Sequence, residues 1–279
     1  MQTEPATQST GADTRYLARP DGRVAYDVDG DGPLVVLVPG MGDVRATFRF
    51  IAPALRTAGH RVAVADLRGQ GDSDATFATY GDVETSGDIV ALIEELGGPA
   101  VIVGNSMGAA AGVIAAAVRP DMVSGLVLID PFVRNGKVSV MMRLVNRVAM
   151  APLWAPSVWK SYLPRLYAGR RPDDFDAYRD QVVASLRRPG YARSFSRTTH
   201  TSHDPAEARL AEVNTPTLVV MGEKDPDFPD PMAEAAWVAG VLHGDVLMVP
   251  EAGHYPQSQQ PDVTAAAVLQ FLDKVGRRA

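Results

Sequence analysis

The chain contains no cysteine. A disulfide framework, a thiolate nucleophile and any cysteine-held metal are therefore excluded. The absence fits a reducing compartment, and a cytoplasmic location is the expectation. Positive charge is also scarce: 27 Lys and Arg against 33 Asp and Glu leave a net charge of -6. That balance supplies no basic face large enough to grip phosphates, so no nucleic-acid partner is expected. No apolar run is long enough to predict a membrane span. Residues 1–13 have neither the basic segment nor the apolar core of a secretory signal, and read as a disordered tail. No internal repeat is visible. The rest is ordinary: 279 residues, 46% hydrophobic and 22% charged, suffice for one large α/β domain or two small ones.

Short apolar runs alternate with helical segments. Residues 16–17 and 24–28 alternate in polarity about Pro20-Asp21-Gly22 and predict an antiparallel hairpin at a sheet edge. Apolar runs at 34–38, 62–65, 101–103, 126–129, 217–221 and 246–249 predict buried strands. Helices are expected at about 46–58, 83–96, 109–118, 231–238 and 261–275. The alternation predicts a mainly parallel sheet covered by helices on both faces. Such sheets bind ligands beyond the carboxyl ends of their strands. Residues 132–208 break the pattern: they hold no good strand, but carry Met141, Met142, Met150, Trp154, Trp159, Tyr162 and Tyr167 between prolines. The expected organisation is a core of 14–131 and 209–279 interrupted by a helical lid at 132–208.

The most informative stretch is Val101-Ile102-Val103-Gly104-Asn105-Ser106-Met107-Gly108-Ala109-Ala110. A buried strand runs into Gly-x-Ser-x-Gly and then into a small-residue helix. A nucleophile elbow needs that sequence, because the sharp turn lifts the serine Oγ above the sheet edge. The plainer reading is a Gly-Ser turn between strand and helix. A serine hydroxyl becomes nucleophilic only when a base takes its proton and a third group orients the base. Of the five histidines, only His254 follows the carboxyl end of a strand. His60 sits on a helix-to-strand turn, His243 precedes the last strand, and His200 and His203 lie in the insertion. His254 is the expected base. Asp225, after the 217–221 strand, is the expected acid, with Asp130 as its competitor and Asp227 and Asp230 read as turn and cap residues. An oxyanion hole needs two backbone donors; the N–H groups of Met107 and Met41 are the candidates. Met142, Met150, Trp154 and Trp159 are the lid residues expected to line a substrate pocket.

Five segments together resemble the α/β-hydrolase superfamily: Pro39-Gly40-Met41-Gly42, Asp66-Leu67-Arg68-Gly69-Gln70-Gly71-Asp72-Ser73, Gly104-Asn105-Ser106-Met107-Gly108, Gly222-Glu223-Lys224-Asp225 and Gly253-His254. The order Ser106, Asp225, His254 is that family's order. The resemblance implies an eight-stranded sheet, a lid inserted after the sixth strand, and cofactor-free hydrolysis of a small molecule through an acyl-enzyme. Pro39 stands where many members carry histidine before a glycine. The serine excludes subclasses with an aspartate nucleophile. Ester hydrolysis is the expected activity; lactone opening, perhydrolysis and C–C cleavage are the alternatives, and an inactive ligand-binding member is the non-enzyme one. Two further readings compete. Gly40-x-Gly42 with Asp66 could mark a dinucleotide site, although Arg45 occupies the third glycine position. His200-Thr201-Ser202-His203-Asp204 could hold a metal, but without further ligands it reads as a polar loop at the lid edge.

Overall fold

The computed structural model describes residues 13–136 and 140–277, with the side chains of Val140, Met142 and Arg143 outside the described set. Eight strands form one sheet: β1 (Arg15–Arg19), β2 (Gly22–Asp29), β3 (Leu34–Val38), β4 (Arg61–Ala65), β5 (Ala100–Asn105), β6 (Val123–Ile129), β7 (Thr217–Gly222) and β8 (Asp245–Val249). Their spatial order is β1-β2-β4-β3-β5-β6-β7-β8, and β2 is antiparallel to both of its neighbours. The remaining pairs are parallel, so β3 to β8 all end at one edge. The hairpin of β1 and β2 closes one side as its alternating sequence requires.

Helices α1 (Ile51–Thr57), α2 (Asp82–Leu96) and α3 (Met107–Val118) connect the first six strands. Between β6 and β7 lie α4 (Val140–Ala149), α5 (Ala155–Leu166), α6 (Phe175–Leu186), α7 (Tyr191–Thr198) and α8 (Asp204–Glu207). Helix α9 (Pro231–Leu242) links β7 to β8, and α10 (Pro256–Gln259) and α11 (Pro261–Gly276) end the described chain. No helix among the described residues is long and apolar enough to cross a membrane.

Two apolar layers sandwich the sheet. Leu92, Ile93, Ile114 and Val238 pack on one face, and Ile51, Leu55, Val268 and Phe271 on the other. A third cluster (Trp159, Leu163, Tyr167, Tyr178, Phe195) binds α5, α6 and α7 to each other and reaches Tyr255 beside His254. The sequence-based boundaries hold to within two residues, except that β6 begins three residues earlier, at Val123, and two helices differ. The helix expected at 46–58 is a 3₁₀ turn, Arg45–Phe48, followed by α1. Pro53 has no N–H to close the i−4 bond onto Arg49, so the α-helical ladder cannot run through both. Helix α9 runs past residue 238 to Leu242, where His243 stops it in a left-handed conformation, φ 51°.

Candidate active site

Ser106 lies between the last residue of β5 and the first of α3, with φ 55° and ψ -118°. L-residues rarely occupy that region, and strain of this kind clusters at functional sites. The glycines on either side permit it. A Cβ on Gly104 would stand 2.4 Å from Gly108 O, and one on Gly108 2.4 Å from Val38 O. The backbone holds the turn: Ser106 N–H donates to Ile129 O (2.9 Å), and its carbonyl accepts from Ala109 (3.1 Å). Asn105 Nδ2 donates to the carbonyl of His254 at 3.1 Å, tying the elbow to the loop after β8. Met107 opens α3, so its N–H has no acceptor within the helix.

Asp225 and His254 follow β7 and β8 and are brought together, with Asp225 Oδ2 2.6 Å from His254 Nδ1. Asp225 Oδ1 also accepts the Asp227 N–H at 2.9 Å. Burial raises the cost of the Asp225 charge, but His254, this N–H and Asp130 outweigh it and hold its pKa below the ordinary carboxylate value. Asp130, the competing acid, is fully buried after β6, and its φ of 42° is left-handed. Its Oδ1 accepts the Gly222 N–H at 2.9 Å. Burial, then the neighbouring Asp225 charge, push the Asp130 pKa well above the ordinary value. Burial and that charge thus favour the proton on Asp130 rather than on Asp225. One donor atom each from Asp130, Asp225 and His254 falls within 4.8 Å of the others, the spacing of a possible cation site. His254 Nδ1 is already engaged by Asp225.

Burial disfavours the His254 imidazolium, but Asp225 beside it, with Asp227 and Asp43 adding, outweighs that cost and raises its pKa. Any activity that needs neutral His254 therefore falls as pH drops through this raised value. Asp227→Asn removes a charge that favours the imidazolium, so the acid limb of kcat/KM is expected to move to lower pH. Rate profiles of the two proteins test it; a limb that stays or moves upward would contradict the field described.

The loop after β3 abuts the elbow. A Cβ on Gly40 would lie 2.8 Å from Ser106 Cβ. Gln70 Oε1 accepts the N–H groups of Gly42 (2.6 Å) and Asp43 (3.1 Å), leaving the Met41 N–H out of the bonds that anchor this loop. Phe132 meets the His254 ring edge-on at 5.6 Å and stacks on Phe228 at 4.8 Å. Of the expected lid residues, Trp159 is buried and donates Nε1–H to Gly42 O at 2.7 Å. Met150 is half-buried against the third apolar cluster. Trp154 is 42% exposed, with its Nε1–H on Val148 O. The Met142 side chain lies outside the described residues.

Three neighbours of the site carry no motif: Phe132, Phe228, and Asp227, which accepts the Tyr162 O–H; Gln70 lies in a matching segment, but its role there was not legible. Asp230 caps α9 through Ala233 N–H, as expected, but Asp227 does more than form a turn. His203 is not a polar loop residue: it is buried, with Nδ1 2.7 Å from Asp82 Oδ2. Its partner is 121 positions away, which local pattern cannot reveal. Asp66 is committed as well. Its carboxylate accepts the N–H groups of Arg45 and Asp72, each at 2.8 Å, and pairs with the Arg45 guanidinium, so it is not free to hold a ribose.

Residues 35–267 match the model of the alpha/beta hydrolase family. The 2-(acetamidomethylene)succinate hydrolase of Mesorhizobium japonicum is 30% identical over 269 residues, 90% of this chain and 93% of that protein. A thermophilic esterase from Thermogutta terrifontis has the same fold, with a TM-score of 0.79 at 24% identity, covering 95% of this chain and 99% of its own. The enol-lactonase of Burkholderia xenovorans LB400 gives 0.76 at 22% identity, covering 93% and 100%.

Proposed function

Because this chain belongs to the alpha/beta hydrolase family, we propose that it is a serine hydrolase cleaving a carboxylic ester of a small to medium, largely apolar substrate. The observation that carries the reading is the strained Ser106 elbow tied to a loop whose His254 is oriented by Asp225 at 2.6 Å. In this reading His254 Nε2 takes the Ser106 proton as Oγ attacks the ester carbonyl. Asp225 fixes the imidazole tautomer and stabilises the imidazolium that forms. The N–H groups of Met41 and Met107 receive the oxyanion, and the positive end of α3 adds to that field. The imidazolium then protonates the leaving alcohol. Water, activated by the same His254, attacks the acyl-enzyme, and the released proton restores Ser106. No cofactor is called for. The helical insertion, 132–208, serves as the lid, and Phe132, Phe228 and Met41 supply apolar wall.

A neutral ester suits the electrostatics better than an anionic substrate. The groups that raise the His254 pKa are Asp225, Asp227 and Asp43, all carboxyl groups. Of the basic residues at the start of the insertion, Arg134 pairs with Glu234 at 2.5 Å and lies over the Trp237 ring at 3.6 Å, and Arg147 is exposed on α4. Lys137 and the Arg143 side chain lie outside the described residues. The expected result is turnover of short-acyl p-nitrophenyl esters, with little or none of a 2-hydroxy-6-oxo-dienoate. A screen across acyl chain lengths, with the dienoate alongside, tests it. Dienoate turnover well above that of every ester would favour the C–C hydrolase reading instead. No turnover of either would favour the ligand-binding one.

A further inference from the structure

We propose that two residues of the insertion, Trp159 and Tyr178, hold the loop that carries the Met41 N–H in its working conformation, which makes the insertion a splint for the oxyanion hole. This rests on the reading of Ser106 as nucleophile and Met41 as oxyanion donor. The loop needs such a splint. Gly42 sits at φ +74°, where glycine is at home but is also free to leave for other conformations. Both peptides after Met41 are fixed by outside groups. The Met41–Gly42 peptide gives its N–H to Gln70 Oε1. The Gly42–Asp43 peptide gives its N–H to the same oxygen at 3.1 Å, and the Gly42 carbonyl accepts Trp159 Nε1–H at 2.7 Å. A flipped Gly42–Asp43 peptide would turn an N–H toward the indole N–H and lose that bond.

Tyr178, from α6, donates its O–H to Asp43 Oδ1, the same oxygen that accepts the Val44 N–H at 2.8 Å. Packing reinforces the bonds. A Cβ on Gly42 would stand 2.6 Å from Trp159 Cε2 and 2.8 Å from Phe195 Cε2. The Trp159 and Phe195 rings meet edge-on at 5.2 Å, and both belong to the buried cluster that contains Tyr178. The insertion therefore grips the loop one and two residues beyond Met41. Trp159 and Tyr178 are positioning residues: they act through the loop. Small displacements of a group aimed at a developing charge are costly, up to about 10²-fold for about 1 Å.

The test is Trp159→Phe, which removes the indole N–H and keeps a ring, with Tyr178→Phe as a second variant that removes only a hydroxyl. Each is assayed on a p-nitrophenyl ester and with two inhibitors of one shape, a trifluoromethyl ketone and the matching methyl ketone. Ser106 Oγ adds to the trifluoromethyl ketone, its proton passes to His254, and the carbonyl oxygen becomes the oxyanion; the methyl ketone binds without that step. For Trp159→Phe, kcat is expected to fall about 10-fold with KM changed less than about twofold. Trifluoromethyl ketone inhibition should weaken by a similar factor and methyl ketone inhibition should hold. Tyr178→Phe should show the same pattern, weaker. Unchanged kcat and unchanged trifluoromethyl ketone affinity in either folded variant overturn the proposal. So does equal weakening of both inhibitors, which would make Trp159 a pocket wall. Ser106→Ala is measured in parallel: if it keeps its turnover, the reading beneath the proposal fails, and if it loses turnover while the two variants behave as wild type, only the splint fails.

Discussion

Ser106→Ala is expected to lower kcat by a factor of about 10⁴ to 10⁶ and to leave the fold intact. The loss is large because the acyl-enzyme cannot form without Oγ, and the remaining groups can only bind substrate and polarise its carbonyl. The fold should survive because the elbow is built from backbone. Ile129 O accepts the residue's N–H, and its carbonyl accepts from Ala109 and, at 3.4 Å, from Ala110 and Phe132. Alanine keeps all of these, and its Cβ occupies the same space beside Gly40. Steady-state turnover of a p-nitrophenyl ester, with a thermal melt as control, tests the claim. A folded variant turning over at near wild-type rate would sink the mechanism.

Asp225→Asn should cost on the order of 10⁴-fold in kcat, and Asp130→Asn far less. The two carboxyl groups are neighbours, but their protonation states differ. Asp225 carries the charge that supports the imidazolium, and an amide there either supplies no charge or presents N–H to Nδ1 and selects the wrong tautomer. Burial and the Asp225 charge favour the neutral form of Asp130, so asparagine there changes the local charge little. The amide oxygen can still accept the Gly222 N–H, and the amide nitrogen can still donate to Asp225. Paired kinetics of the two variants decide the assignment. Reversed costs would move the working acid to the end of β6.

Much of this is legible in the chain itself, because each strand is a short apolar run and each residue of the proposed triad lies one to five residues past the end of one. Chain position alone put Ser106, Asp225 and His254 on one edge of a parallel sheet. The protonation states of Asp130 and Asp225 were not legible. They depend on a distance between the ends of β6 and β7, and on burial that no local pattern encodes. Trp159 looked like any lid aromatic, since its indole N–H meets a carbonyl 117 positions earlier. Gln70 stands in a segment whose resemblance was plain but whose task was not; only the structure puts its oxygen on two loop amides. Ser258, four positions after His254, is buried, with its hydroxyl on Thr47 O at 2.8 Å, a partner 211 positions away that no local pattern reveals.

The sheet order has a further consequence, for how the molecule loosens. β5, which leads into Ser106, lies between β3 and β6 and is buried along its whole length. β8, which leads into His254, is an edge strand bonded on one side only, and Asp245 and Val246 at its start are exposed. Free energies of local opening follow burial and pairing, from near zero at frayed edges to the global value at the centre. The strand that leads to the proposed base is therefore one of the cheapest parts of the sheet to open, and the strand that leads to the proposed nucleophile one of the dearest. Gentle heat or denaturant should separate the two before the protein unfolds. Function would fade first, while the intact centre of the sheet remains a template on which the edge can close again.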